Sequence, residues 1–163
     1  MAAGIAGIPL ILGLAGPVQA RQAQTISVAG PVLVIDGDTL DVAGTRVRLH
    51  GIDAPETRQG CWNASGEVWA CGIQATHALA AEVGDAEVIC VGERHDRYRR
   101  VIARCFLDGS DINRWMVANG WAVAYRRYSI DYVSDKDRAH ADHFGIWAGT
   151  FMMPWDWRVT KGR

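Results

Sequence analysis

Three acidic side chains and an arginine fall within a short stretch of this 163-residue chain: Asp38, Arg48, Asp53 and Glu56. Carboxylates held close together need a cation, and a set of oxygen ligands suits a hard ion such as Ca2+. An arginine beside such an ion suits a phosphodiester, because its planar guanidinium binds two phosphate oxygens at once. The residue types and spacing therefore indicate phosphate chemistry around a divalent cation.

An alternation of period two predicts the strands that position these residues. Leu40 and Val42 alternate with polar residues, and after a reversal at residues 43–45 the alternation resumes over residues 46–50. Arg48 then lies on the face opposite Val47, and an antiparallel pairing would bring Asp38 and Asp53 to one rim. The alternative is a plain surface hairpin with solvated acids, since Asp-Gly is a common turn.

The stretch resembles the thermonuclease, or staphylococcal-nuclease-like, family. The resemblance covers about residues 31–158 and is carried by separate motifs in the same order: Asp36-Gly37-Asp38-Thr39, Arg48 to Glu56, Asp96-Arg97-Tyr98-Arg99-Arg100, Asp111-Ile112-Asn113, Gly120-Trp121-Ala122 and Gly145-Ile146-Trp147. The number and order of the motifs argue against the plain hairpin.

The resemblance implies a hydrolase, a Ca2+-dependent nuclease that cleaves DNA and RNA with little sequence preference. It implies that Asp38 and Asp53 bind Ca2+ through their carboxylates and Ala54 through its backbone carbonyl. It also implies catalytic roles for three residues. Arg48 and Arg100 would bind the phosphate, and Glu56 would position or deprotonate the attacking water. The alternative is a catalytically weak OB-fold module that binds nucleic acid or a protein partner. The presence of all these side chains favours the enzyme.

The arginine-rich turn departs from the family pattern. The family commonly has glycine where Arg99 stands, so either the backbone does not need a positive φ there or the turn is rearranged. The aim of Arg100 depends on which of these holds. Tyr98 matches a tyrosine near the terminal phosphate, and Arg99 is a further candidate for phosphate binding.

The order of predicted elements is three strands, a helix, two strands and two helices. The helices are expected at residues 72–83, 111–119 and 134–145, and residues 57–71 lack periodicity and are expected to form a loop. This order predicts an α+β fold, and the resemblance selects a five-stranded OB-fold β-barrel with about three helices. Trp155 and Trp157 lie beside apolar residues and are expected to pack rather than to bind substrate.

The first twenty residues carry no charge and end in Val18-Gln19-Ala20, which is typical of a secretory signal peptide. An uncleaved anchor is the alternative, although Pro9 and Pro17 interrupt the apolar run. Residues 21–163 have the size of one domain, which is expected to be a monomer, secreted or periplasmic, with no stable membrane association after cleavage. The net charge of −1 means that attraction to DNA or RNA must be local, through clustered arginines.

Four cysteines at positions 61, 71, 90 and 105 form no Cys-x-x-Cys pair. Of the three possible connectivities we expect Cys61 with Cys71 across the local loop, and Cys90 with Cys105, which lie opposite each other in a hairpin that turns near residues 97 and 98. The alternative is free thiols in a reducing compartment.

Overall fold

The structure is a computed structural model that describes residues 24–162. The expected signal peptide lies outside the described residues. Within them the strands are β1 (Ile26–Asp36), β2 (Thr39–Val42), β3 (Thr45–Leu49), β4 (Ile52–Asp53), β5 (Cys61–Trp62), β6 (Val68–Trp69), β7 (Glu87–His95), β8 (Val101–Leu107), β9 (Ser110–Asp111) and β10 (Val123–Ala124). The helices in the same range are α1 (Cys71–Val83), α2 (Ile112–Ala118), α3 (Val133–Ala141), a 3-10 helix (Gly145–Ala148) and α4 (Pro154–Thr160).

Five strands close into a barrel. The antiparallel pairings β3–β2–β1–β7–β8 run around it, and a parallel pairing of β3 with β8 closes the ring. The long strand β1 pairs with β7 through its first half and with β2 through its second half. The predicted α+β class and five-stranded OB-fold barrel are confirmed.

The barrel interior is filled by alternate residues of its strands, as the period of two predicts. Val47 and Leu49 are buried inside, whereas Arg46 and Arg48 lie on the other face of β3. Helix α1 packs against the same core through Ala75, Leu79 and Val83, which are spaced four residues apart on one face. The hairpin therefore has one core face and one polar face that borders the site.

A second, smaller hydrophobic cluster lies outside the barrel. It is built around the buried Cys61 and Cys71 together with Val123 and Ile146, and partly buried aromatic residues pack on it. The segment expected to be a loop contains the short antiparallel pair β5–β6, and Trp62 forms a bridge to Thr150. This cluster holds the C-terminal segment against the loop that follows Glu56.

The helices differ from expectation in two places. Helix α3 ends at Ala141 and Gly145 begins a separate 3-10 helix, because Phe144 is extended and His143 has φ of 56°. Helix α4 was not predicted, and it starts with Pro154 at its first turn, where a missing N–H costs nothing. Within residues 24–162, no helix combines the length and hydrophobicity that crossing a bilayer requires.

Both expected disulfides are present. Cys61 is bonded to Cys71, and Cys90 to Cys105, which are directly paired across β7 and β8. The expected pairing is thereby confirmed, and the alternative of free thiols does not hold for these four positions.

Candidate active site

Arg48 joins the two aspartates that were expected to share a rim. Its Nη1 lies 2.5 Å from Oδ2 of Asp38, and its Nη2 lies 2.8 Å from Oδ1 of Asp53. Both carboxylates are buried, Asp53 completely, so their charge is compensated by protein groups rather than by water. Burial acts to lower the pKa of Arg48, but the surrounding carboxylates of Asp38 and Asp53 outweigh it and raise that pKa.

Backbone hydrogen bonds fix the turn that carries Asp38. The backbone N–H of Ala54 donates to Oδ2 of Asp38 over 2.8 Å, and the N–H of Leu49 donates to the Asp38 carbonyl over 2.9 Å. Asp38 itself donates its N–H to the carboxylate of Asp36 over 3.0 Å. The turn after β1 and the end of β4 are thus locked together at the place where the two aspartates meet.

Asp36 is a third acid of this rim that the sequence analysis did not assign. Burial, and secondarily the charge of Asp38, raise the pKa of Asp36 to about 6. Its position two residues before Asp38 was visible in the sequence, but nothing there indicated that its carboxylate would point toward the same space. It lines the same cavity as Asp38 and Glu56.

Glu56 is placed by the segment that follows the second aspartate. Its N–H donates to the side-chain carbonyl of Gln59 over 3.2 Å, and the N–H of Gln59 donates back to the Glu56 carbonyl over 2.7 Å. Gln59 is almost fully buried, and its Nε2 donates to the carbonyl of Met152 over 2.6 Å. Glu56 therefore depends on the C-terminal segment as well as on the segment that follows β4.

Arg158, which was not predicted as a site residue, binds two of the acids of the site. Its Nη2 lies 2.7 Å from Oδ2 of Asp53, and its Nη1 lies 3.1 Å from Oδ1 of Asp53 and 2.9 Å from Oε1 of Glu56. Burial acts to lower the pKa of Arg158, but these hydrogen-bonded carboxylates raise it well above its usual range. Helix α4 thereby adds a third guanidinium to the site.

The arginine-rich turn has a positive φ at the position where the family commonly has glycine. Arg99 adopts φ of 66°, the left-handed conformation that glycine adopts more readily. Asp96 holds the turn, since its Oδ1 accepts the N–H groups of Tyr98 and Arg100 over 2.8 and 3.0 Å. The backbone therefore does take a positive φ at this position, and the strain falls on a residue that is not glycine.

The same aspartate aims Arg100. Nε and Nη2 of Arg100 lie 2.8 and 2.7 Å from Oδ2 of Asp96, and Nη1 donates to the Thr39 hydroxyl over 3.3 Å. Arg100 and the exposed Tyr98 both line the cavity, and the arginine lies 5.4 Å from the centre of the tyrosine ring. Arg99 is exposed and is not among the residues that line it.

These side chains surround an open cavity of about 680 Å3. Its charged lining combines acids with arginines from four distant parts of the chain: Asp36, Asp38, Arg48, Glu56, Arg94, Asp96, Arg97, Arg100 and Arg158. Tyr125 and Tyr128 also line it and contact each other edge to face at 4.8 Å, and Tyr125 stacks on Trp155 at 4.9 Å. Asp53 and Ala54 lie buried beneath the lining.

The donor set fits a divalent cation with few protein ligands. A carboxylate oxygen has two lone pairs. Among the described residues, Oδ1 of Asp38 accepts one long hydrogen bond of 3.4 Å from Thr39, and Oδ2 of Asp53 accepts one from Arg158, so each has a lone pair available. No cluster of three or more His, Cys, Asp or Glu side chains in metal-binding proximity occurs within residues 24–162. Two carboxylates, a carbonyl and water would suit a larger ion with flexible coordination.

Comparison with known proteins identifies the family. The sequence profile described as "Staphylococcal nuclease homologue" matches residues 46–149. An "Uncharacterized endonuclease" of Escherichia coli is 31% identical over 122 residues, which cover 71% of this chain and 72% of that protein. The chain belongs to the staphylococcal nuclease homologue family. The resemblance found in the sequence is confirmed.

Two further relatives are longer than the matched region. A protein of Haemophilus influenzae, also named "Uncharacterized endonuclease", is 34% identical over 116 residues, covering 69% of this chain and 60% of that protein. The "Succinoglycan biosynthesis protein ExoI" of Rhizobium meliloti is 37% identical over 105 residues, covering 63% of this chain and 55% of that protein. The matched region thus spans less than two thirds of either relative.

Proposed function

We propose that this protein is a secreted or periplasmic nuclease that hydrolyses phosphodiester bonds in DNA and RNA with Ca2+ as its cofactor. The observation that carries the proposal is one cavity in which Asp38 and Glu56 face Arg48 and Arg100, with Asp53 buried directly beneath. Membership of the family and the names of two relatives as endonucleases support the activity. Nucleic acid is the proposed substrate, and the protein would act as a monomer.

Asp38, Asp53 and the carbonyl of Ala54 would hold the cation. When bound there, Ca2+ would supply positive charge beside the scissile phosphate and make a bound water more acidic. Arg48 fixes the two carboxylates through its Nη1 and Nη2 atoms, so the ligands are aligned before the cation arrives. Such alignment reduces the reorganisation that cation binding requires.

The two proposed phosphate-binding arginines reach the cavity from neighbouring elements, Arg48 from β3 and Arg100 from the turn before β8, the strand that pairs with β3. Attack of water on the phosphorus places extra negative charge on the equatorial oxygens, and fixed guanidinium donors stabilise that charge more than the ground state. Glu56, which also lines the cavity, would orient the attacking water and receive its proton. Tyr98 and Arg99 would bind flanking phosphates from the exposed turn.

A digestion assay tests the proposal. Purified protein should cleave plasmid DNA and RNA with Ca2+, lose activity in chelator and regain it on renewed addition of Ca2+. Mg2+ should support little cleavage, because it requires near-ideal octahedral geometry at short distances, and carboxylates that guanidinium groups already hold in place cannot rearrange to provide it. Binding of nucleic acid without cleavage under any of these conditions would instead support the binding module. Equal rates with both ions would contradict the assigned cation site.

The proposed location outside the cytoplasm is supported by the two disulfides, which persist in oxidising compartments. Fractionation of cells followed by non-reducing peptide mapping tests it. Four free thiols in the native protein, or its retention in the cytoplasm, would contradict this part of the proposal.

A further inference from the structure

The strongest feature that the proposed mechanism leaves unused is Arg158. The guanidinium bonds both oxygens of Asp53 and also Oε1 of Glu56, so one rigid group links the proposed cation ligand with the proposed base. Asp53 has no exposed surface, and Arg158 and Glu56 are exposed by only 28% and 27% at their side chains. Hydrogen bonds of this kind inside a partly desolvated site are strong and directional.

The segment that carries Arg158 lies beyond residues 46–149, the part of the chain matched by the family profile. It is held by contacts that are independent of the barrel. Thr150 is bridged to Trp62, the Met152 carbonyl accepts from Gln59, and Trp155 belongs to the cluster around Cys61 and Cys71. These contacts hold the C-terminal segment in place, and the segment in turn positions the guanidinium of Arg158 at the site.

The geometry also indicates how Arg158 acts. Oδ1 of Asp53 accepts hydrogen bonds from both Arg48 and Arg158, whereas Oδ2 accepts one, from Arg158. Oδ2 therefore keeps one lone pair. The arrangement orients this oxygen without blocking it, as partners of metal-binding carboxylates commonly do. Lysine in the same place could not bond three carboxylate oxygens in one plane.

We propose that Arg158 is a positioning residue of the site, which holds the Asp53 carboxylate and Glu56 in their functional orientations. This inference rests on the proposed function. It predicts that Arg158 contributes to cation affinity and to turnover through these two acids, and not through direct binding of the substrate.

The test compares Arg158→Gln and Arg158→Lys with the wild type in calcium titration calorimetry and in steady-state cleavage. Lys161→Gln, which removes a positive charge from the residue that follows α4, is the matched control. We expect Arg158→Gln to weaken calcium binding about 10-fold and to lower kcat about 10- to 100-fold, the range for partners of metal ligands, with KM little changed. Arg158→Lys should recover little of kcat, and Lys161→Gln should resemble the wild type.

Each other outcome is decisive. Unchanged kcat and calcium affinity in a folded Arg158→Gln variant, or full rescue by lysine, would overturn the inference. A rise in KM alone would show that Arg158 binds the substrate, which would overturn the inference. Tighter calcium binding by the variant would show that Arg158 competes with the cation for Asp53, which would overturn it as well. If Arg158→Gln does not fold, Arg158→Lys decides by the same criteria.

A wild type that binds calcium but cleaves nothing would refute the proposed function, while the calcium affinities of the variants would still test the role of Arg158. A wild type that binds no calcium would overturn both.

Discussion

Asp53 has no exposed surface and lies between two guanidinium groups, and this arrangement sets the charge balance of the site. Burial raises the pKa of Asp53, and the hydrogen bonds from Arg158 together with the charge of Arg48 oppose that rise. Removing one member of a buried charged cluster leaves the others uncompensated, which is more costly than replacing the whole cluster. Substitutions that keep the charge are therefore the informative ones at this scale.

We expect Arg48→Lys and Arg100→Lys each to lower kcat about 100-fold, with a smaller change in KM. The physical reason is that lysine keeps the charge but loses the fork that contacts two oxygens at once, and one preorganised donor to a developing anion contributes on this scale. Steady-state kinetics on a defined oligonucleotide measure both parameters. Loss confined to KM would show that the arginines form only an electrostatic patch.

Arg99→Gly should stabilise the protein by about 1 kcal/mol, because a side chain at a left-handed backbone position is strained and glycine is not. The kcat should change little, since Asp96 rather than Arg99 aims Arg100. Urea unfolding and cleavage rates measure the two effects. A loss of kcat as large as that of Arg100→Lys would place Arg99, in addition to or instead of Arg100, at the scissile phosphate.

At the scale of elements, local patterning was sufficient for the barrel and its hairpins. The alternation in residues 39–50 predicts β2 and β3 and their buried faces, and the spacing of Cys90 and Cys105 predicts the register of β7 and β8. Helix α2 runs over Ile112–Ala118, close to the predicted residues 111–119, and it begins after Asp111, whose side chain caps it by accepting the N–H of Arg114. Each of these features is settled by residues close together in the chain.

Helix α4 and its arginine could not be predicted in this way. The helix has only seven residues. Its tryptophans indicated that the segment is packed, but not which part of the protein it packs against. The bond from Arg158 to Asp53 spans 105 positions and depends on the docking of the C-terminal segment, which no local pattern encodes. Asp36 was missed for a related reason, since only the folded turn shows which way its carboxylate points.

At Gly72, helix α1 comes into close contact with the backbone of the segment that carries Glu56. A Cβ atom added at Gly72, near the start of α1, would lie 1.8 Å from the carbonyl oxygen of Glu56. Gly72→Ala should therefore push α1 away from the Glu56 segment. We expect a loss of about 1–3 kcal/mol in stability, as for other overpacked sites, and a fall in kcat of up to about 100-fold if Glu56 shifts by an ångström.

Thermal unfolding and kinetics at a temperature where the Gly72→Ala variant is fully folded would check both effects. Ala81→Ser, a small change on the exposed side of the same helix, is a suitable control. Full activity in a destabilised Gly72→Ala variant would mean that the clash is relieved by movement of α1 alone.

On the scale of the whole molecule, the two disulfides belong to different hydrophobic clusters. Cys90 and Cys105 lie in the main core inside the barrel, and Cys61 and Cys71 lie in the smaller cluster that supports the C-terminal segment. Their loops are similar in length, with separations of 15 and 10 residues, so chain entropy alone would make their effects on stability comparable. Their consequences for the site should differ.

Replacement of Cys90 and Cys105 by serine should cost about 2–5 kcal/mol of stability and leave kcat nearly unchanged below the melting temperature, because neither residue supports a site side chain. Replacement of Cys61 and Cys71 should lower kcat about 10-fold or more even where the barrel remains folded. The reason is that Gln59 and Arg158, which hold Glu56 and Asp53, both depend on the smaller cluster. Thermal unfolding, near-UV circular dichroism and cleavage kinetics of the two double variants separate the effect on stability from the effect on the site. Equal losses of kcat in both variants would contradict the conclusion that only the smaller cluster supports the site.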